Sequence, residues 1–407
     1  MTAHLVASLA AYVLVPLLLV CGLHCVAGMV GLPRLRPLPA SPAGEPQNVS
    51  VLVPARNEER RIEACLRSLM EQEPPVREIL LLDDRSGDAT AEIARKLGFS
   101  GEPGTRLRLL TGAELPVGWV GKNWACHQLS LAADPATGHL LFTDADTVHG
   151  PASVRTALGH AAFSRADLLS VWPDQITGTW AEKLIIPLGY LLFTAFQPLP
   201  LLRWLQADPG RAARWGFTRE KLASLGAANG QFLLFRRESY LRIGGHEALK
   251  DHLVEDIAFG RRVAAATGEG MRLVNADGID LVRCRMYSDF REVWEGFSKN
   301  LRPVFEQSRA GFVAFGVAVS FLFLLPFLLP ALPGGLTPAP VAALLIVMVL
   351  RLLLTLRFRT SWFGFVAHPA GVVLALLIAL NSWRLCAQGG VFWKGRRYPG
   401  TTGRALG

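Results

Sequence analysis

Long apolar segments constrain this chain of 407 residues more than any other feature of its sequence. The first covers residues 5–31 and contains no Asp, Glu, Lys or Arg. Three more lie towards the C-terminus, at residues 311–332, 338–356 and 365–383. Because a run of about 20 apolar residues crosses a bilayer as one helix, we expect four transmembrane helices.

The basic residues beside these segments predict which side of the membrane they face. Arg34 and Arg36 follow the first segment and place its end in the cytoplasm, since cytoplasmic flanks carry an excess of Lys and Arg. Arg351, Arg357 and Arg359 mark a later connection as cytoplasmic in the same way. Simple counting then sends the C-terminal tail outward, yet residues 394–397 carry three basic side chains. Either one apolar segment is re-entrant or the tail lies outside.

A further apolar stretch, residues 184–205, is interrupted by Pro187, Pro198 and Pro200. Two interpretations stay open: a pair of short helices in the membrane interface, or a buried core hairpin. The expected organisation is an N-terminal transmembrane helix (1–32), a linker (33–47), a large domain (48–305) that includes the interrupted stretch, C-terminal transmembrane helices (306–385) and a basic tail (386–407).

The composition narrows the choice of partners. The net charge is +9, but there is no basic-aromatic repeat, zinc-finger spacing or helix-turn-helix signal, so we expect no nucleic-acid partner. The basic residues cluster beside apolar segments, which favours contact with a membrane. The six cysteines include no CxxC pair, which favours reduced thiols in a protein that faces the cytosol.

Within residues 48–305, short apolar strands alternate with helices. Strands are predicted at residues 49–53, 78–82, 106–110, 140–143, 168–172 and 231–235. Helices are predicted at residues 58–72, 89–97 with Asp88 as the N-cap, 122–133, 254–266 and 289–305. This alternation predicts an α/β fold with a mostly parallel sheet and helices on both faces.

Acidic residues follow several of these strands. Residues 54–58, the pair Asp83 and Asp84, and the pair Asp144 and Asp146 all stand at carboxyl ends, where sheets of this kind bind ligands. Asp144 and Asp146 could hold Mg²⁺ or Mn²⁺, which prefer carboxylate oxygens and leave positions for phosphate. An isolated Asp-x-Asp is more often a solvated turn, and Asp83 with Asp84 could simply cap one. The prediction of a ligand site therefore rests on the position of all these segments at the carboxyl ends of the strands.

Three further residues are candidates. Lys122 opens a helix after a Gly-bounded loop and suits a phosphate contact, although a solvated surface lysine is the alternative. Glu255 and Asp256 begin another helix, where acidic residues commonly complement the helix dipole. Their position after the acidic pair favours a functional role.

Four motifs together resemble the family 2 glycosyltransferases. In chain order they are Val-Ser-Val-Leu-Val-Pro-Ala-Arg-Asn-Glu (49–58), Leu-Asp-Asp-x-Ser-x-Asp-x-Thr (82–90), Asp144-x-Asp146 and Glu255-Asp256. The resemblance covers about residues 48–305. It implies a GT-A fold, a nucleotide-sugar donor, a divalent cation (Mn²⁺ or Mg²⁺) and inversion at the anomeric carbon.

The resemblance also implies roles in donor binding. Asp84 would contact the nucleotide base, and its carboxylate suits the imide N–H of uracil, which favours a UDP-sugar. Pro54, Arg56 and Glu58 would surround the nucleoside. Lys122 would contact the phosphates.

The remaining roles concern the reaction. Asp144 and Asp146 would hold the cation, with Asp144 also close to the nucleotide-sugar. Asp256 would be the general base that accepts the proton of the acceptor hydroxyl, and Glu255 would support it.

Residues 118–125 and 392–398 are similar to membrane glycosyltransferases of carotenoid and hopanoid pathways, which favours a lipid or terpenoid acceptor. The Gln-x-x-Arg-Trp stretch of polymer-forming synthases is missing, and residues 291–294 are its nearest counterpart. Transfer to a polyprenyl phosphate or a glycerolipid stays open, as does a non-enzymatic scaffold or transport protein. We expect a multi-pass protein of the inner (plasma) membrane with a cytoplasmic catalytic domain.

Overall fold

An eight-stranded sheet is built mainly from the predicted strands. Its strands are β1 (Gln47–Ala55), β2 (Val76–Asp83), β3 (Leu107–Thr111), β4 (His139–Thr143), β5 (Thr147–His149), β6 (Leu168–Gln175), β7 (Phe232–Arg236) and β8 (Leu273–Cys284). Two further strands, β9 (Val391–Trp393) and β10 (Arg396–Tyr398), pair with each other. The computed structural model describes residues 3–38, 47–305, 308–333 and 335–398, so parts of the expected linker and basic tail lie outside the described residues.

The strand order is β3-β2-β1-β4-β7-β6-β8-β5. β1 to β4 run parallel, β7 is antiparallel to both of its neighbours, and β5 is antiparallel to β8. The sheet is therefore mixed and mostly parallel, as predicted. The apolar pattern did not predict β5, which has three residues, or β8, which carries Asn275, Asp277 and Asp280 among its apolar residues.

Helices cover both faces of this sheet. The α-helices are α1 (Ala3–Gly31), α2 (Ile62–Met70), α3 (Thr90–Lys96), α4 (Gly121–Ala132), α5 (Ser153–Ser164), α6 (Trp180–Phe196), α7 (Leu199–Gln206), α8 (Pro209–Arg214), α9 (Arg219–Ser224), α10 (Arg237–Arg242), α11 (Glu255–Ala265), α12 (Phe290–Asn300), α13 (Arg309–Val319), α14 (Leu325–Leu328), α15 (Pro338–Phe358), α16 (Trp362–Val366) and α17 (His368–Ala387). Alternate residues of a strand point to opposite faces. Val51 of β1 therefore shares a core with α2, α3 and α5, whereas Leu52 shares one with α4 and α11. This layering confirms the α/β class.

Some helix boundaries differ from the predictions. The residue before α3 is Ala89, so the prediction that Asp88 is the N-cap is wrong. Asp88 Oδ1 nevertheless accepts a hydrogen bond from the N–H of Thr90 at 3.0 Å. α6 continues through Pro187 and ends at Phe196, so the apolar stretch breaks later than its first proline suggested.

The chain forms two compact units. The sheet belongs to the unit made of Leu32–Ile176 and Leu201–Met286. The other unit is mainly helical, with β9 and β10 as its two strands. It contains the described residues before Leu32, Thr177–Pro200 and the described residues from Tyr287 onward.

Four helices of the described residues are long and apolar enough to cross a membrane. They are Ala11–Gly31, Arg309–Ala331, Pro338–Phe358 and His368–Ala387, and α6 with α7 would be a fifth if they form one broken span. The segment expected to begin at residue 365 begins instead at His368, because the short helix α16 precedes it. A Cβ atom at Gly364 of α16 would lie 2.1 Å from the Lys183 carbonyl oxygen, so glycine permits α16 to pack against α6.

Candidate active site

The segments that follow β1, β2 and β4 lie at one edge of the sheet, because these three parallel strands are adjacent. Ala55, the last residue of β1, is the register partner of Asp83, the last residue of β2. β4 ends at Thr143 and is followed directly by Asp144. The structure therefore brings together the three segments expected at the carboxyl end of the sheet.

Hydrogen bonds tie the segment after β1 to the segment after β2. The N–H of Asp84 donates to the carbonyl of the last β1 residue at 2.7 Å, and Arg56 Nη1 donates to the Asp84 carbonyl at 2.5 Å. The N–H of Glu58 donates to the Thr90 hydroxyl at 2.8 Å. Pro54 is the second-last residue of β1. Pro54, Arg56, Glu58 and Asp84 thus form one group, which we call the donor group.

Asp144 and Asp146 lie in the turn between β4 and β5. The Thr147 hydroxyl donates to the Asp144 carbonyl at 2.7 Å, which closes this turn. The Asp146 carboxylate accepts a hydrogen bond from the Cys284 thiol of β8. Burial, followed by the charges of Asp146 and Asp144, raises the pKa of that thiol well above its ordinary value. We call Asp144 and Asp146 the acidic turn.

One lysine connects the acidic turn to the second acidic pair. Lys122 Nζ lies 2.7 Å from Asp144 Oδ1 and 2.9 Å from Glu255 Oε1. Burial opposes the lysine charge, but these two carboxylates raise the pKa of Lys122 well above its ordinary value. Burial likewise opposes the charge of Glu255, and Lys122 lowers the pKa of that carboxyl. Lys122 and Glu255 are therefore held in their charged forms.

Asn123, the neighbour of Lys122, attaches the start of α4 to the segment that precedes α11. Its buried amide donates to the Leu249 carbonyl at 2.5 Å and to the His252 carbonyl at 2.9 Å. The N–H of Val120 donates to a carbonyl of the same segment at 2.6 Å. The sequence pattern did not predict this role, since these contacts join residues that are distant in the chain.

Asp256 is held in the first turn of α11 by backbone groups. Its Oδ2 accepts from the N–H of Gly230 and its Oδ1 from the N–H of Ile257, both at 2.8 Å. Burial and the charge of Glu255 raise the pKa of Asp256 to about 6, although Lys122 and the two N–H groups act in the opposite direction. A Cβ atom at Gly230 would lie 3.1 Å from Asp256 Oδ2, so glycine allows this close approach. Asp256 is ionised at neutral pH and protonated in mild acid.

The buried thiol of Cys65 shows how close the donor group and the acidic turn are. Burial raises the pKa of this thiol, and the charges of Asp146, Asp144 and Glu58 raise it further. Its Sγ lies 3.7 Å from the Asp144 carbonyl oxygen. The predicted site residues thus occupy one edge of one sheet. The backbone donors to Asp256 and the Asn123 anchor were not predicted.

The acidic turn supplies two hard oxygen ligands. Among the residues that the structure describes, no group of three or more His, Cys, Asp and Glu side chains is arranged to hold a metal ion. Mg²⁺ in particular is commonly bound through one or two carboxylates, with water and substrate phosphates as its other ligands. The chemistry of Asp144 and Asp146 therefore fits a divalent cation whose coordination is completed by a bound substrate.

Two family models match the chain. Glycosyl transferase family 2 matches residues 50–202, and Glycosyl transferase family 21 matches residues 210–406. The chain is similar to 4,4'-diaponeurosporenoate glycosyltransferases of Staphylococcus aureus. The protein of strain bovine RF122 / ET3-1 is 27% identical over 361 residues, which are 86% of this chain and 88% of the relative. The protein of strain USA300 is 27% identical over 363 residues, with the same coverage.

Solved glycosyltransferases are similar in structure at low sequence identity. The mannosyltransferase PcManGT from Pyrobaculum calidifontis, in complex with GDP-Man and Mn²⁺, has a TM-score of 0.49 at 18% identity and covers 92% of this chain and 99% of its own. The glucosyl-3-phosphoglycerate synthase from Mycobacterium tuberculosis, in complex with Mn²⁺, UDP and phosphoglyceric acid, has a TM-score of 0.40 at 20% identity and covers 67% of this chain and 85% of its own.

The mostly parallel mixed sheet, the helices on both of its faces and the additional apolar helices agree with the GT-A fold class expected for a membrane glycosyltransferase. The two family matches follow each other along the chain, and only residues 203–209 lie between them. The chain belongs to the glycosyltransferases, with a family 2 region followed by a family 21 region.

Proposed function

We propose that this glycosyltransferase is membrane-bound and inverting, and that it transfers one sugar from a nucleotide-sugar to a lipid or terpenoid acceptor of the carotenoid or hopanoid type. The observation that carries the proposal is the link from the acidic turn through Lys122 to Glu255, directly beside the half-buried Asp256. This arrangement supplies charged groups for a diphosphate next to a carboxylate that can accept a proton.

The donor group would bind the nucleoside, with Asp84 on the base and Pro54, Arg56 and Glu58 around it. Asp84 is buried, and hydrogen bonds hold its backbone, which favours selective contact with a base such as uracil. A UDP-sugar is therefore the preferred donor. Lys122 would exchange part of its pairing with Asp144 and Glu255 for the donor phosphates.

Asp144 and Asp146 would hold the divalent cation, which neutralises developing charge on the diphosphate when it is bound. Mn²⁺ and Mg²⁺ both suit these oxygen ligands.

Asp256 would accept the proton of the acceptor hydroxyl. The hydroxyl oxygen forms a bond to the anomeric carbon while the bond from that carbon to the diphosphate breaks, and the nucleoside diphosphate leaves with the bonding electrons. Because the two bonds lie on opposite sides of the carbon, the configuration inverts. A pKa of about 6 suits a base that works near neutral pH.

The acceptor class is supported by the similarity to the diaponeurosporenoate glycosyltransferases. That name denotes an acid anion, which favours a second candidate: transfer to a carboxylate oxygen. Such an acceptor brings no proton, and the same holds for a polyprenyl phosphate. Asp256→Asn would then have little effect, whereas it would be severe for a hydroxyl acceptor.

The candidate spans favour a multi-pass protein of the inner membrane, with Arg34 and Arg36 marking the cytoplasmic side of the catalytic domain. An apolar acceptor partitions into the bilayer and reaches a site at its surface.

The decisive experiment incubates the purified full-length protein with a panel of UDP- and GDP-sugars, with and without Mn²⁺, and measures donor hydrolysis and transfer to extracted membrane lipids. We expect turnover with a UDP-sugar that requires the cation, and a product of inverted anomeric configuration by NMR. Absence of both turnover and nucleotide binding under every cation would overturn the proposal in favour of a scaffold or transport protein.

A further inference from the structure

A charged side chain is fully buried among the helices of the helical unit. Arg351 lies in α15, one of the four candidate spans, and its exposed fraction is 0%. Charged residues within spans are costly, and they commonly pair with one another or mark a functional site. Arg351 therefore requires an explanation beyond packing.

The protein satisfies this guanidinium only in part. Arg351 Nη2 donates to the Gly364 carbonyl at 3.2 Å. Its Nε and Nη1 are buried and have no hydrogen-bond partner among the described residues. A buried donor without a partner destabilises the folded protein, and more so when it is charged. Such donors call for a ligand or water as an acceptor.

An apolar groove begins next to His368, a neighbour of this arginine. His368, the first residue of α17, is buried and lies within electrostatic range of Arg351, with its ring 5.5 Å from that of Phe327. From the next residue onward, α17 lines a groove of about 440 Å³. Its walls include Trp180, Leu184, Leu324, Leu328, Val373 and Leu377.

Arg351 lies in the C-terminal half of α15. It precedes Phe358, the last residue of the helix, by about two turns, or about 10 Å at 1.5 Å per residue. Arg357 and Arg359 flank the same end of the helix, which makes it strongly positive.

We propose that Arg351 binds the phosphate of an anionic phospholipid whose acyl chains lie in this groove. A guanidinium matches phosphate with two parallel N–H donors, and basic pockets between transmembrane helices bind anionic headgroups. The proposal rests on the membrane placement in the proposed function but not on the glycosyl transfer itself.

The test is native mass spectrometry of the full-length protein in detergent, titrated with phosphatidylglycerol. Diacylglycerol, oleate and inorganic phosphate are the comparison ligands. We expect phosphatidylglycerol to bind, and Arg351→Met to weaken this binding at least about tenfold, which corresponds to only about 1.4 kcal/mol. Arg357→Met is the matched control, since it removes the same charge near the end of the same helix, and it should bind as the unchanged protein does.

Equal binding of phosphatidylglycerol by folded Arg351→Met protein would overturn the proposal. It would also fail if diacylglycerol or oleate bound equally well, or if only inorganic phosphate bound in an Arg351-dependent way. Should Arg351→Met not fold, Val373→Trp fills the groove and keeps the arginine, and unchanged lipid binding by that variant overturns the proposal.

Hydrolysis of the nucleotide-sugar is measured on the same preparations. Intact hydrolysis without lipid binding rejects this lipid site alone, and lipid binding without hydrolysis rejects the proposed function alone.

Discussion

The ammonium group of Lys122 lies 2.9 Å from Oε1 of Glu255, and the same group lies 2.7 Å from Oδ1 of Asp144. One positive charge thus pairs with two carboxylates, one from the turn after β4 and one from the start of α11. The lysine also lowers the pKa of Asp256, which Glu255 raises. Burial raises the pKa of Asp256 most, and the charges of Glu255 and Lys122 then shift it in opposite directions.

Replacement of Lys122 should disturb both charge and stability. In Lys122→Met, Asp144 and Glu255 lose their shared cation, and the pKa of Asp256 should rise. The acid limb of the kcat/KM profile should then move to higher pH. Because the lysine side chain is 36% exposed, we expect a loss of about 1–2 kcal/mol in unfolding free energy, below the about 3–5 kcal/mol for a broken buried pair. Lys122→Arg keeps the charge and is the control, so its pH profile of kcat/KM should not shift. An unshifted profile in Lys122→Met would contradict the effect of Lys122 on the pKa of Asp256.

The pH dependence of transfer should report Asp256. Since the carboxyl has a pKa of about 6 and must be ionised to accept a proton, kcat/KM should be constant above that pH and fall below it. Asp256→Asn should lower kcat by about 10²- to 10⁴-fold if the acceptor is a hydroxyl. Steady-state kinetics between pH 5 and 8, about the range in which such a base titrates, checks both. A nearly unchanged rate in Asp256→Asn would identify an acceptor oxygen that is already ionised.

The acidic turn should determine the response to metal. Chelation with EDTA should abolish transfer, and added Mn²⁺ should restore it. Asp146→Asn should weaken Mn²⁺-dependent UDP binding at least about tenfold, the lower end of what loss of even an outer-shell partner costs. Isothermal titration calorimetry with and without Mn²⁺ measures the effect. Identical Mn²⁺ enhancement in the variant and the unchanged protein would remove Asp146 from the site.

The buried amide of Asn123 should matter for stability. Asn123→Leu leaves the carbonyls of Leu249 and His252 without this donor, and each such buried group costs about 1–3 kcal/mol. We expect a clear fall in Tm in detergent. Gln128→Leu, on the same helix but only half-buried, is the control and should lower Tm less. Equal Tm values for the two variants would argue against the anchor.

A close contact between α11 and the segment before β7 should depend on glycine. A Cβ atom at Gly260 would lie 2.6 Å from the carbonyl carbon of Ala227, so Gly260→Ala should destabilise the protein by about 1–3 kcal/mol, as overpacking does. Gly268→Ala adds a methyl group with nothing within 4 Å, and its effect should stay within about 0.5 kcal/mol. Thermal unfolding of both variants makes the comparison, and a Gly260→Ala protein as stable as Gly268→Ala would refute the close contact.

Much of the architecture could be predicted because its signals are local. Apolar runs marked the candidate spans, and short apolar strands followed by Asp83 and Asp144 marked the carboxyl edge of the sheet. The strand β8 gave no such signal, since its polar residues are satisfied by partners far away in the chain. Asn275 of β8, for example, donates to the Ala227 carbonyl and accepts from the indole N–H of Trp172.

The sequence by itself determined the α/β class, the apolar helices and the types of side chain available at the sheet edge, because hydrophobic periodicity and turn chemistry act between near neighbours. Only the tertiary structure decided that Lys122 pairs with Asp144 and Glu255 and that Gly230 donates to Asp256. It alone also decided that Arg351 is buried and that two of its nitrogen atoms have no hydrogen-bond partner among the described residues. Burial and Coulomb interactions act through space rather than along the chain, and so the protonation of each acidic residue is set by the fold.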